Sequence, residues 1–420
     1  MPAWSDQRRP DPQPCRDGDE GLFEVTVRDG RARVGKLHTK HGILTTPALL
    51  PVINPNIRTI EPREMWDRYG IGALITNSYI IRKHADLKDK ATNEGVHSLL
   101  DYPGIVMTDS GTFQSYVYGD IDVGVSEIVD FQRSIGVDIA TMLDVFSRPD
   151  MTYTEVENAV AETIGRAQKS LDSAKSTMLN GPIQGGIYPE LRQQSATEMA
   201  KYDFAIHPIG GIVPVMEQQR YRDYAKIMLA TIPFLPRNRP VHMFGCGHPM
   251  LFPMSIALGA DLFDSAAYAL FARDGRILTP WGTEKLDNLT EWPIITPCIS
   301  LHTPELVRNL PKGEKIVLLS RYNLEITLAE LSRCRQAVRD GSIWRLVEQR
   351  SHQHPALRDA FLWLTTNPAT AHLVQQQRAG IPLDETTSSQ DVSNLGRWES
   401  AWNWIIDAQQ TPRKGGEQWA

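Results

Sequence analysis

Between residues 48 and 264, short apolar runs alternate with longer stretches of helical character, and most of the runs stop at Gly, Asn, Asp or Gln. The first four are Ala48-Leu49-Leu50-Pro51-Val52, Ala73-Leu74-Ile75-Thr76-Asn77, Ile105 to Asp109, and Ile139 to Asp144. Pro182-Ile183-Gln184-Gly185-Gly186, Phe204 to Gly211, Val241-His242-Met243-Phe244-Gly245 and Leu262-Phe263-Asp264 complete the series. Runs this short predict strands, and the segments between them predict helices. Val156, Ala159, Val160, Ile164, Ala167 and Leu171 fall on one helical face, with Thr154 as the expected N-cap. Upstream, Phe23 to Val27 and Ala32 to Leu37 alternate about an Asp29-Gly30 turn, which predicts a β-hairpin. Eight strand–helix units in series predict a (β/α)8 TIM barrel over residues 21–290. A doubly wound sheet is the structural alternative, but the chain carries no Gly-rich phosphate loop to support it.

Outside this rhythm the pattern changes. Residues 1–20 are rich in Pro, Asp, Arg and Gln and predict a disordered tail. Residues 291–365 predict a Pro-interrupted subdomain (291–327) and a mildly basic helix from Thr327 to Glu348. Between Arg308 and Arg350 there are nine Lys/Arg against five Asp/Glu, a bias that a solvated helix face also explains. Residues 366–420 form a C-terminal extension, in which Trp398, Trp402 and Trp404 are spaced for a short closing helix. The net charge of -6 gives no global nucleic-acid signal, although a local basic face would suffice. Cys15, Cys246, Cys298 and Cys334 are scattered, which argues against a disulfide framework and for a reducing compartment. No apolar run reaches membrane-span length, so the expected location is cytoplasmic, with no membrane partner.

In a barrel the C-terminal strand ends share one mouth. Asn77, Asp109, Asp144, Gln184, Gly210-Gly211, Gly245 and Asp264 would converge there. The stretch Met107 to Gln114, in which an apolar run halts at Asp109-Ser110-Gly111, is the strongest single signal. No Lys lies near enough for Schiff-base chemistry, and no His/Asp cluster has metal-ligand spacing. Paired carboxylates without a metal or organic cofactor point to an anomeric carbon, where one acid traps the sugar and the other moves a proton on the leaving group. Asp144 is superfluous for simple sugar hydrolysis but suits the N–H edge of a guanine-like base. Gln184 and the Gly210-Gly211 backbone could read the opposite edge, and Phe113 and Met243 could sandwich the ring. Phe113 and Met243 read equally well as core residues, and an ordinary glycoside hydrolase is the competing activity.

Taken together, the motifs resemble one family, the tRNA-guanine transglycosylases, in particular the archaeal type. The matching segments are Ile75 to Tyr79, Met107 to Gln114, Gly181 to Gly186, His207 to Pro214, Phe244 to Met250 and Asp261 to Ala266, in order. The resemblance implies replacement of guanine in a nucleic acid by a free 7-deazaguanine through a covalent enzyme–ribose intermediate. It implies Asp264 as nucleophile and Asp109 as general acid/base. Ser110, Phe113, Asp144, Gln184, Gly210, Gly211 and Met243 would then hold the base, with Phe113 stacking on it.

Two departures from the family pattern matter. The family's structural zinc ligands align with Ile294, Thr296, Ile299 and Tyr322, so no zinc and no other cofactor is expected, and apolar packing replaces the metal. The archaeal tRNA enzymes also continue into RNA-binding modules, whereas this sequence stops soon after the barrel. That favours the family's DNA-acting branch (DpdA), with 7-cyano-7-deazaguanine (preQ0) as the incoming base and a helper protein to open the duplex. Arg273, Arg276 and the basic residues of 333–350 would hold the phosphates. A tRNA enzyme working with a separate RNA-binding chain is the alternative, and a non-catalytic nucleic-acid-binding subunit is a third reading. A homodimer is left open.

Overall fold

The computed structural model describes residues 8–112 and 124–378. Eight parallel strands make the central sheet: β4 (Ala48–Ile53), β5 (Ala73–Asn77), β6 (Ile105–Asp109), β7 (Ile139–Thr141), β8 (Met178–Asn180), β9 (His207–Ile209), β10 (Val241–Met243) and β11 (Leu262–Ser265). Their order is β8-β7-β6-β5-β4-β11-β10-β9. Parallel bridges Asn180↔Ile206 and Ile183↔Ile209 join the two ends, so the sheet closes as a TIM barrel. The fifth apolar run departs from its expected position. The ladder of β8 lies at Met178–Asn180, and beyond it Ile183 makes only an isolated bridge. Pro182 has no N–H to give a ladder.

Alternation along the strands sorts the core into two layers. Leu50, Ile75, Met107, Ile139 and Leu262 pack inside the barrel, while Leu49, Leu74, Val106, Ala140 and Phe263 belong to the cluster shared with the helices. The inner cluster continues into Phe23, Leu37 and Leu44. These belong to an antiparallel sheet of β1 (Phe23–Asp29), β2 (Ala32–Thr39) and β3 (Gly42–Thr46), so the expected hairpin has a third strand. The sheet lies across the N-terminal end of the barrel. Arg33 of β2 binds both oxygens of Asp261, just ahead of β11, at 2.8 and 2.7 Å. Residues 8–20 have no strand or helix, and they lie against the body: the Arg9 guanidinium is 3.9 Å from the Trp66 ring centroid.

The helix Tyr153–Gly165 buries Val156, Ala159 and Val160 as expected. Its N-cap is Thr152 rather than Thr154, because Thr152 forms a reciprocal capping box with Glu155.

Downstream of the barrel, the expected break at residue 327 is absent. One helix runs from Lys312 to Arg339 and packs on the last barrel helix, Ala267–Arg273. Asn323 joins the two parts, since its side chain accepts from Leu278 N–H at 2.7 Å and donates to Tyr268 C=O at 3.1 Å. Beyond it lies a second helix, Ile343–Ser351. The basic residues of 333–350 divide: Arg333, Arg339 and Arg345 are exposed, while Arg335 and Arg350 bind within the protein. Arg350 is buried against Glu330 at 2.7 and 2.9 Å, and Arg335 donates to Pro47 C=O at 2.8 Å.

The positions aligned with zinc ligands lie in a separate apolar cluster. Ile299 and Tyr322 are buried there with Leu319, Val307 and Ile326, and Ile294 and Cys298 pack on its edge. Two isoleucines, a threonine and a tyrosine offer no thiolate or imidazole, so these residues do not fit the metal. All four cysteines are free thiols. Among the described residues no helix is long and apolar enough to cross a membrane. Trp398, Trp402 and Trp404 lie outside the described residues.

Candidate active site

The inward-facing positions at the C-terminal ends of the strands line a cavity of about 550 Å³. Asp109, Ser110, Asp144, Gln184, Gly210, Gly211 and Asp264 are all on its wall, although they come from five different strand ends. Phe113 lies outside the described residues.

Asp264 is the third residue of β11, and the alternation that buries Phe263 outward turns Asp264 inward. Its Oδ1 accepts the backbone N–H of Gly245 at 2.9 Å, and Nε2 of the buried His242 lies 2.9 Å from the same oxygen. One carboxylate oxygen is thereby held while the other remains available for attack. Gly245 can donate in this way because it turns at φ 71, in the left-handed region that glycine favours.

Asp109 ends β6 directly beside Asn77 in the parallel register. The Asn77 amide donates to its Oδ2 at 2.9 Å, and Oδ1 has no protein partner. Burial raises its carboxyl to about 7; the charges of Asp264 and Asp144 push the same way, and the Asn77 amide opposes them. A group that titrates there can both give and take a proton near neutrality. Two carboxylates in one cavity thus occupy different environments: Asp264 rests on the Gly245 N–H, and burial raises Asp109.

Asp144 and Gln184 form a second unit. The Gln184 amide nitrogen donates to Asp144 Oδ2 at 2.5 Å, while its oxygen accepts Ser147 N–H at 3.1 Å. The Ser147 bond decides which way the amide points. Burial also raises the Asp144 carboxyl above its ordinary value, with Gln184 opposing. This couple presents an acceptor and an amide edge side by side, as a purine with adjacent donors and a carbonyl requires.

Gly210 and Gly211 have a role the sequence did not reveal. A Cβ on Gly210 would lie 2.4 Å from Gln184 Nε2, and one on Gly211 would lie 2.5 Å from Ser147 C=O. The glycines therefore make room for the Asp144–Gln184 couple. Gly210→Ala is expected to push Gln184 off Asp144 and to raise KM for the free base by about 10–100-fold. Steady-state kinetics with varied base would measure the change, alongside a melting curve to show that the fold persists.

Met243 does not face the cavity. It is fully buried among the helix-facing residues, because β10 pairs Met243 with Phe263 and both point outward. Phe244, the next residue, lines the cavity in its place, as do Phe146, Val213, Leu270 and Phe271. Phe244 and Val213 lay within motifs already singled out, but strand parity was needed to choose Phe244 over Met243. His248 also lines the cavity, and burial lowers its imidazole to about 4. Arg273 ends the helix that carries Leu270 and Phe271, and it donates to Thr59 Oγ1 at 3.3 Å. Arg276 stacks 4.2 Å from the Phe271 centroid and pairs with Asp274 at 2.9 Å.

Fold and site together define a TIM-barrel protein with a carboxylate pair beside a polar couple suited to a flat heterocycle. Comparison with known proteins carries this further. A family model described as queuine tRNA-ribosyltransferase (TGT) matches residues 29–356. A tRNA-guanine(15) transglycosylase of Thermococcus onnurineus is 46% identical over 342 residues, covering 81% of this chain and 59% of the relative. Those of Pyrococcus abyssi (44% over 345 residues; 82% and 59% covered) and Methanocaldococcus jannaschii (44% over 347; 81% and 53%) are similar. This chain belongs to the queuine tRNA-ribosyltransferase (TGT) family. The alignments span 53–59% of the length of these relatives.

Proposed function

We propose that the chain exchanges guanine in tRNA for a free 7-deazaguanine, with 7-cyano-7-deazaguanine as the incoming base. The observation that carries the reading is the placement of Asp109 and Asp264 on one cavity with the Asp144–Gln184 couple. Asp264 attacks C1′ of the target ribose as the C1′–N9 bond breaks, forming an Asp264–ribose ester. Asp109 gives its proton to the departing guanine. Asp109, now a carboxylate, takes the N9 proton of the incoming base, whose nitrogen attacks C1′ and expels Asp264. Asp144 and Gln184 hold each base in turn, with Ser110 and the Gly210-Gly211 backbone beside them. A non-catalytic subunit would have no use for this arrangement.

The expected DNA substrate gives way to tRNA, because the relatives matched are named for tRNA. Arg273 and Arg276, beside the cavity wall, would contact the phosphates, so affinity should fall as salt rises. The test is uptake of labelled 7-cyano-7-deazaguanine by total tRNA and, in parallel, by DNA. Uptake into tRNA alone supports the proposal; uptake into DNA alone restores the DNA reading; uptake into neither refutes both.

We further propose that the apolar cluster around Ile299 and Tyr322 stands in for the family's structural zinc. Cys298→Ala should then leave the metal content of the purified protein unchanged, as checked by elemental analysis. A fall in bound zinc would refute this.

A further inference from the structure

The strongest cluster outside the barrel mouth lies at the opposite end of the molecule. Asp138 immediately precedes β7, whereas Asp144 follows it, so the two face opposite ends of the same strand. His41 comes from the turn between β2 and β3, and His97 from the helix Val96–Leu100. His41 Nδ1 is 2.7 Å from Asp138 Oδ1, and His97 Nε2 is 3.1 Å from Oδ2. The two imidazoles stack with centroids 3.8 Å apart at 30°. One nitrogen from each ring and a carboxylate oxygen all lie within 4.8 Å of one another, and among the described residues no other His/Cys/Asp/Glu group of three does so.

From this geometry we propose that His41, His97 and Asp138 bind a divalent transition-metal ion of the zinc class. Two imidazoles and one carboxylate are a borderline donor set, which selects zinc, cobalt or nickel over magnesium or calcium. Zinc with ligands at about 2.0–2.2 Å needs neighbouring donors about 3.3 Å apart, so each imidazole must draw back from the carboxylate, His41 more than His97. The carboxylate is already oriented from behind, since Asp138 Oδ2 accepts Val106 N–H at 2.9 Å. Its side chain is fully buried, but those of His41 and His97 are 33% and 19% exposed, so the ion can enter from solvent and complete its coordination with water. The bound ion would cross-link the β2–β3 turn, the helix Val96–Leu100 and the start of β7. The site is independent of the base-exchange reading and of the former zinc position near Cys298.

The test uses the full chain without a polyhistidine tag, stripped with chelator and titrated with zinc by calorimetry and with cobalt by visible absorption. One equivalent of zinc should bind, and saturating zinc should raise Tm by about 3–6 °C. His41→Asn and His97→Gln keep a hydrogen-bond donor to Asp138 while removing the imidazole. Each should fold, weaken zinc binding at least 100-fold and abolish the Tm shift. No saturable binding at millimolar zinc, or equal affinity in the double variant, would overturn the proposal. So would loss of the bound equivalent in Cys298→Ala with both histidines intact.

Discussion

Asp264→Asn should abolish base exchange, with kcat lower by at least about 10⁴-fold, while the fold persists. The substitution preserves shape and leaves the amide oxygen to accept the Gly245 N–H bond that holds Oδ1 at 2.9 Å. What it removes is the free carboxylate oxygen, and with it the ester to ribose. Two measurements check this: exchange of labelled guanine into tRNA, and trapping of a protein–RNA adduct on a denaturing gel. The wild type should give both and the variant neither. Exchange within 10-fold of wild type would move the nucleophile elsewhere, since no positioning effect of so small a size is expected from loss of the attacking atom.

Asp109→Asn should be the next most damaging change, lowering kcat by about 10²–10⁴-fold. An amide cannot ferry the proton between the departing and incoming bases. The pH profile separates this role from mere positioning. Because burial raises the Asp109 carboxyl to about 7, the free enzyme loses its proton donor as pH rises through that value. The kcat/KM of the wild type for tRNA should therefore decline above about pH 7, and the residual activity of Asp109→Asn should lack that limb.

Stability should move the opposite way from activity. A carboxyl whose folded value is raised from an unfolded value near 3.9 contributes its full share below about pH 4, and that share is lost as pH rises through about 7. At pH 8 the ionised Asp109 therefore weakens the fold. Asp109→Asn should raise stability there by about 1–2 kcal/mol, or a few degrees in Tm, with little gain at pH 4. A variant less stable at pH 8 than wild type would show that Asp109 is held as an anion and is not the acid.

These expectations rest on residues that were legible to different degrees in the sequence. Asp109, Asp144, Gln184 and Asp264 were visible because each halts an apolar run, and a barrel sends all such ends to one mouth. Met243 was misplaced because alternation in a single run does not say which parity faces inward; pairing with Phe263 decides it. Arg335 and Arg350 read as part of a basic surface because their partners, the Pro47 carbonyl and Glu330, become neighbours only in the folded chain. The convergence of His41, His97 and Asp138 was invisible for the same reason, since the three come from segments far apart in sequence.

The sequence by itself determined the number and order of the strand–helix units, the polar residues that halt several of the apolar runs, and the lack of Cys and His at the positions aligned with the family's zinc ligands. All of these are local properties of composition and period. Only the tertiary structure decided which carboxyl its surroundings raise, which strand face Met243 occupies, and why Gly210 must lack a side chain. The Asp109 carboxyl is raised by the cavity that buries it and by Asp264, and Gly210 leaves room for Gln184. Such effects fall off with distance through space rather than along the chain, so folding had to bring the groups together before they existed.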